Sequence, residues 1–164
     1  MCLGHDLFPL SLDSVHDTID MSFHVNHQIN MSTDDEARKK VGQMGEDIAC
    51  QFLGHKGFKI LERNYRKPWG EIDIVAEKDG IVRFIEVKAV SRESLGDGSR
   101  EMDYRPEEMV TTEKLKKVAR TASLYMENKR DKREYQIDVV GVIMDKVAKK
   151  ARCRLIEQAL EDNL

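Results

Sequence analysis

Two short runs, Gly70-Glu71-Ile72-Asp73-Ile74-Val75 and Phe84-Ile85-Glu86-Val87-Lys88, alternate apolar with polar residues. A period of two marks each as a strand with one face in a core. Between them Asp79-Gly80 has the composition of a two-residue type I′ turn. A hairpin closed there sets Lys78 opposite Ile81, Asp73 opposite Glu86 and Glu71 opposite Lys88. Strict alternation then predicts Ile72, Ile74, Ile85 and Val87 on one face and the four charged residues on the other.

The rest of the chain divides into elements around this hairpin. Thr33-Asp34-Asp35-Glu36 reads as a capping box, and Val41, Met44, Ile48, Ala49, Phe52 and Leu53 follow at helical spacing, predicting a helix over about 34–56 with Gly57 just beyond its end. Gly42 and Gly45 are costly inside a helix and predict close packing against another backbone. Glu46 lies at the border of the apolar stripe, placed either in water or over the sheet toward Asp73 and Glu86. Phe58 to Arg66 reads as a strand and Lys67-Pro68-Trp69-Gly70 as a turn. Ser91 to Arg105 has loop composition and the length of a mobile flap, closed by Pro106. A second helix is predicted from Thr111 or Thr112 to about Asn128, burying Leu115, Val118, Ala119, Ala122, Tyr125 and Met126. Tyr135 to Met144 and Arg152 to Glu157 read as strands. The order αβββαββ implies an α/β fold, a mixed sheet flanked by helices, with a right-handed crossover returning parallel to the third strand.

Composition narrows the setting. The 164 residues fit one domain over 32–164, with residues 1–31 expected to be a disordered N-terminal extension or an upstream stretch of reading frame ending near Met31 or Met21. No apolar run approaches the ~20 residues of a membrane span. The first basic residue is Arg38, so no basic signal region leads the chain, and a cytoplasmic location without membrane partners is expected. Cys2, Cys50 and Cys153 lack metal or disulfide spacing. His24 and His27 have ligand-like spacing without an obvious third ligand, and read as part of the tail. The net charge of −3 comes from four acids in the first thirty residues, since the remainder carries 27 basic against 26 acidic residues. Nucleic-acid binding would therefore need a local patch. The basic side of the second helix, with Lys114, Lys117 and Arg120, suits phosphate contacts or a plain solvated face.

The hairpin carries the chemistry. Facing carboxylates have Cβ atoms about 5 Å apart and repel by roughly 3 kcal/mol at an effective dielectric near 20. A divalent cation, a lysine or a proton offsets that. Mg²⁺ uses one or two carboxylates with water and phosphate oxygens, so the face reads as a metal site with Lys88 beside it, or as a surface of cross-strand ion pairs.

Gly45-Glu46, Asn64-Tyr65-Arg66, Gly70-Glu71-Ile72-Asp73, Phe84-Ile85-Glu86-Val87-Lys88, a helix opening around Lys114 and the strand Ile137-Asp138-Val139-Val140 occur in the order seen in the YraN-like family of bacterial proteins, which the chain resembles over about 40–160. That family is similar to the PD-(D/E)XK, restriction-endonuclease-like superfamily and its Holliday-junction-resolvase-like members. The resemblance implies a metal-dependent nuclease acting on DNA rather than RNA, with branched DNA among the candidate substrates and a homodimer among the candidate assemblies. It places Asp73, Glu86, Lys88 and Glu46 in catalysis, and Asp73, Glu86 and the Val87 carbonyl on Mg²⁺ or Mn²⁺. Lys114 matches a position that would touch phosphate. A non-catalytic nucleic-acid-binding or assembly module is the alternative, because acidic sites persist in proteins that only bind.

Overall fold

The computed structural model describes residues 17–20, 34–92 and 105–160. Its elements are β1 (Asp17–Asp20), α1 (Asp34–His55), β2 (Lys59–Lys67), β3 (Gly70–Lys78), β4 (Ile81–Arg92), a 3₁₀ turn (Pro106–Met109), α2 (Thr112–Lys129), β5 (Tyr135–Asp145) and β6 (Lys150–Ile156). The strands form one sheet in the order β1-β6-β5-β4-β3-β2. β4 and β5 are parallel and every other pair is antiparallel. The α/β class, the crossover through α2 and the restriction-endonuclease type of architecture agree with the sequence. Within the stretch expected to be disordered, Asp17–Asp20 forms an edge strand on β6. The remainder of that stretch, including His24 and His27, lies outside the described residues. So does most of the predicted flap, although Ser91 and Arg92 belong to β4.

Local chemistry explains the element ends. Asp79 and Gly80 both take positive φ, 52° and 80°, as a type I′ turn requires. α1 closes in a Schellman motif, with Phe58 N–H donating to the Leu53 carbonyl and Gly57 N–H, at φ 83°, to that of Gly54. α2 opens on Thr111, whose hydroxyl accepts from the Lys114 N–H at 3.2 Å.

The sheet separates two cores. On one face Ile48, Ala49, Phe52 and Leu53 of α1 pack on Ile74, Ala76, Ile85, Val140 and Val142. On the other, Leu115, Val118, Ala122, Tyr125 and Met126 of α2 pack on Tyr65, Ile72, Val75, Val82, Phe84 and Val139. Each fully buried aliphatic side chain contributes about 1.5–3 kcal/mol. Ile72 therefore corrects the expectation of strict alternation: it lies on the α2 face while Ile74 lies on the α1 face. The same break occurs across the ladder in β2. Glu62 and Tyr65, three residues apart, both meet Tyr125 of α2, and Asn64 between them has φ 52°. Asparagine tolerates this left-handed conformation better than most residues.

Gly45 is packed so tightly that a Cβ there would overlap the Cβ of Ala89 on β4. The same expectation fails at Gly42, where an added Cβ would meet nothing within 4 Å. Buried polar residues tie β4, β5 and the segment after β6. Arg83 Nη1 lies 3.0 Å from both Asp138 Oδ2 and Glu157 Oε1, and Asp138 Oδ1 accepts from Gln136 Nε2 at 2.8 Å and Gln158 N–H at 3.0 Å.

Two stability outcomes follow. Gly45→Ala should lower the free energy of unfolding by about 1–3 kcal/mol through overpacking, whereas Gly42→Ala should be neutral or raise it by up to about 1 kcal/mol. Urea titrations read by circular dichroism test the contrast, and equal effects would contradict the close approach at Ala89. Arg83→Met strands the Asp138 carboxylate in the core and should cost about 3–5 kcal/mol in the same assay; a loss below 1 kcal/mol would show that Asp138 does not depend on Arg83.

Candidate functional site

The β3–β4 ladder runs from Lys78↔Ile81 to Ile74↔Ile85 and stops there. Neither Asp73↔Glu86 nor Glu71↔Lys88 forms as a facing pair. β2 and β3 stay paired to the Lys67↔Gly70 end, so they leave β4 together. Their departure strips a partner from the backbone of β4, and Asp73 replaces it: Val87 N–H donates to Asp73 Oδ2 at 2.8 Å. Val82 N–H donates the other way, to the Glu134 carbonyl ahead of β5. Backbone groups of successive strand residues alternate between edges, and the N–H and C=O of one residue leave on the same edge. The Val87 carbonyl therefore faces the gap that holds the Asp73 carboxylate.

β4 itself is regular. Phe84 belongs to the α2 core and Ile85 to the α1 core, so Glu86 returns to the α2 face, where Lys114 meets it. Lys114 Nζ lies 3.3 Å from Glu86 Oε1 and 3.1 Å from Glu71 Oε1. Glu86 is only 8% exposed, and its Oε2 is buried without a hydrogen-bond partner.

These surroundings shift the acids in one direction. Burial, then the Asp73 charge, pushes the Glu86 carboxyl up to about 7, against the pull of Lys114. Burial also raises Asp73, opposed by the Val87 N–H and Lys114. Glu46 is raised by burial and by Asp73, and opposed by a hydrogen bond from Asn64 and by Arg63 and Arg66. Burial pulls the Lys114 ammonium down, but Glu86 and Glu71 outweigh it and hold it above its ordinary value.

Glu46, Asp73, Glu86 and Lys114 thus share one electrostatic environment, with Glu46 on the α1 side and Lys114 on the α2 side. Lys88 stands two residues beyond Glu86 on the same strand face and makes no ion pair with any described residue. The Lys114 partnership with Glu71 replaces the expected Glu71–Lys88 pairing. Lys117 joins Lys114 along a cleft of about 500 Å³ that Arg66, Lys67, Trp69 and Glu71 also line. Arg120 is exposed and does not line it. Sequence reasoning assigned no role in the site to Arg66, near the end of β2, to Trp69 in the turn that follows, or to Asn64. Asparagine, a residue that tolerates positive φ, was the available signal for the change of face in β2.

Among the described residues no three His, Cys, Asp or Glu side chains form a ready-made ion cage. The donor set is sparser: two carboxylates, one with an orphaned oxygen, beside a carbonyl edge. That set fits Mg²⁺ or Mn²⁺, which retain water in the remaining positions.

No helix among the described residues is long and apolar enough to cross a membrane. The chain is 38% identical over 109 residues to a UPF0102 protein of Campylobacter hominis, an alignment spanning 66% of this chain and 88% of the relative. It is 36% identical over 125 residues to one of Fervidobacterium nodosum, covering 76% of this chain and 86% of that protein. A third, from Dictyoglomus thermophilum, is 38% identical over 113 residues, covering 68% and 88%. The profile of the uncharacterised protein family UPF0102, the family to which the YraN-like resemblance pointed, matches residues 45–142, and the chain belongs to that family.

Proposed function

We propose that the chain is a divalent-metal-dependent nuclease that hydrolyses DNA phosphodiester bonds. The observation that carries this reading is the orphaned Glu86 Oε2, buried beside the Asp73 carboxylate at the gap faced by the Val87 carbonyl. Asp73, Glu86 and the Val87 carbonyl would hold Mg²⁺ or Mn²⁺. When bound, the ion lowers the pKa of an attacking water and neutralises charge on the phosphoryl oxygens.

The chain's own groups do the rest. Asp73 is fixed by the Val87 N–H, so one oxygen is committed to the backbone and the other is free to turn into the gap. Lys88, without a carboxylate partner among the described residues, would supply positive charge where negative charge develops on the phosphoryl oxygens in the transition state. Glu46, held by Asn64 and facing Asp73, orders water on the α1 side. Lys114 neutralises Glu71 and Glu86 until an ion does, and can then pass to a phosphate.

A second reading, a module that binds nucleic acid without cutting it, is favoured by that same Lys114. Its ammonium already offsets the acid pair.

Titration calorimetry with Mn²⁺ should give a binding isotherm for the wild type that Asp73→Ala abolishes; equal heats would remove the ion. Incubated with Mg²⁺ or Mn²⁺, duplex, single-stranded or four-way-junction DNA should be cleaved, and Lys88→Ala should slow cleavage about 100-fold or more. Absent cleavage with salt-steep binding would favour the module instead.

The pH dependence has a definite sign. A carboxyl titrating near 7 is mostly protonated at pH 6 and must lose its proton to ligate an ion. Mn²⁺ affinity should therefore fall by about tenfold from pH 8 to pH 6, and this fall should vanish in Glu86→Gln. In the ion-free protein the raised value favours folding below the ordinary carboxylate range, a contribution lost as pH rises through about 7. Glu86→Gln should thus stabilise the ion-free fold at pH 8 but not at pH 4; thermal melts in EDTA showing the reverse would contradict the burial argument.

A further inference from the structure

Beside the carboxylates, the β2–β3 turn and α2 enclose the cleft of about 500 Å³ lined by Arg66, Lys67, Trp69, Glu71, Lys114 and Lys117. Its composition is unusual for this chain. Four cations face one carboxylate, and Lys114 already serves Glu71 and Glu86. Arg66, Lys67 and Lys117 make no ion pair with any described residue, and Lys67 Nζ lies 5.5 Å over the Tyr65 ring, a weak contact that a phosphate can replace. Trp69 sits at the tip of a two-residue turn, directly after Pro68, and keeps 42% of its surface in water. Tryptophan buries more apolar area than any other side chain when it finds a partner. An indole face amid unpaired cations suits a ligand with a flat π-surface and negative charge.

The cleft is also pre-shaped. A Cβ at Gly70 would collide with Thr121 Oγ1, so the hairpin end is seated on α2. Thr121 is fully buried, and its hydroxyl donates to the Lys117 carbonyl at 2.9 Å. Proline on one side of Trp69 and this contact on the other fix the backbone that carries the indole, so little backbone freedom is lost on binding.

We propose that this cleft holds an unpaired nucleotide, its base stacked on Trp69 and its phosphates on Arg66, Lys67 and Lys117, next to the carboxylate site. A base inside a duplex offers its π-face only to its neighbours, so a stacking platform selects single-stranded segments, ends or branch points. This deepens the reading of the chain as a nucleic-acid enzyme and rests on it for the class of ligand, but not on cleavage.

Trp69 is the sole tryptophan, so its emission reports this cleft alone. The full chain in EDTA, titrated with a short oligodeoxythymidylate, should show quenched emission and reduced iodide access, while a blunt duplex of equal length leaves the emission unchanged. Trp69→Ala should weaken single-strand binding, followed by fluorescence anisotropy of a labelled oligonucleotide, by about tenfold or more, with Trp69→Phe close to wild type. Equal quenching by oligouridylate would support the same platform and extend it to RNA. Binding with unaltered emission, an equal response to blunt duplex, undiminished affinity in Trp69→Ala, or no binding at all would each overturn the proposal. Cleavage without quenching would sink it alone, and quenching without cleavage would sink only the nuclease reading.

Discussion

A strand that leaves a sheet abandons the hydrogen bonds it was making, and a buried N–H left without an acceptor costs about 1–3 kcal/mol. The β3–β4 ladder ends at Ile74↔Ile85, leaving the residues of β3 before Ile74 unpaired with β4, and the Val87 N–H is the group exposed to that cost. The Asp73 carboxylate is its acceptor, reaching into the gap from the residue at which β3 changes face. The left-handed turn of the backbone at Asn64, the shift of Ile72 to the α2 core and the opening of the site all lie where that ladder ends.

The departure leaves an unfavourable arrangement in place. Glu86 and Asp73 are both largely withdrawn from water and both are pushed toward the neutral form, Glu86 by burial and then by the Asp73 charge, Asp73 by burial and then by the Glu71 charge. Lys114 meets one oxygen of Glu86 and leaves the second unsatisfied. Elsewhere this chain satisfies a buried acid on both oxygens: Asp138, completely buried, accepts from three donors, Arg83 Nη1 on one oxygen and Gln136 Nε2 and the Gln158 N–H on the other. The contrast between a satisfied acid at position 138 and a half-satisfied one at 86 separates a structural network from a site built to receive something.

Much of this frame was legible in the sequence because it is set by short-range chemistry. The Asp79-Gly80 turn, the Thr111 cap, the Gly57 terminator and the helical stripes of α1 and α2 each depend on residues within one or two turns of chain. The parallel return of β5 was legible too, since a helix between strands has one favoured hand. What escaped depends on a skipped residue or on distant partners. A period of two gives no sign of where it breaks, so Ile72 was assigned to the wrong face and Glu71 to the wrong lysine. Gly42 and Gly45 look alike in sequence, yet only Gly45 meets Ala89. Lys117 and Arg120 share a basic stripe, but the cleft runs along only the first two turns of α2, from Lys114 to Val118, and only Lys117 reaches it.

The site straddles a seam, and two close backbone approaches fix its width. On the α1 side Gly45 lies against Ala89 of β4, which places the next residue, Glu46, above the gap. On the α2 side Gly70 of β3 lies against Thr121, seven residues and about two turns from Lys114, which therefore projects from the same helix face. One contact references the site to β4 and the other to β3, the two strands that part company. Glu86 and Lys88 travel with β4, Asp73 and Trp69 with the β2–β3 hairpin. Any motion of the hairpin against β4 would change the Asp73–Glu86 separation and break the Val87 bond at once, so acid spacing and backbone satisfaction are held by the same geometry. That coupling makes a loosely related pair of carboxylates into a site of defined width.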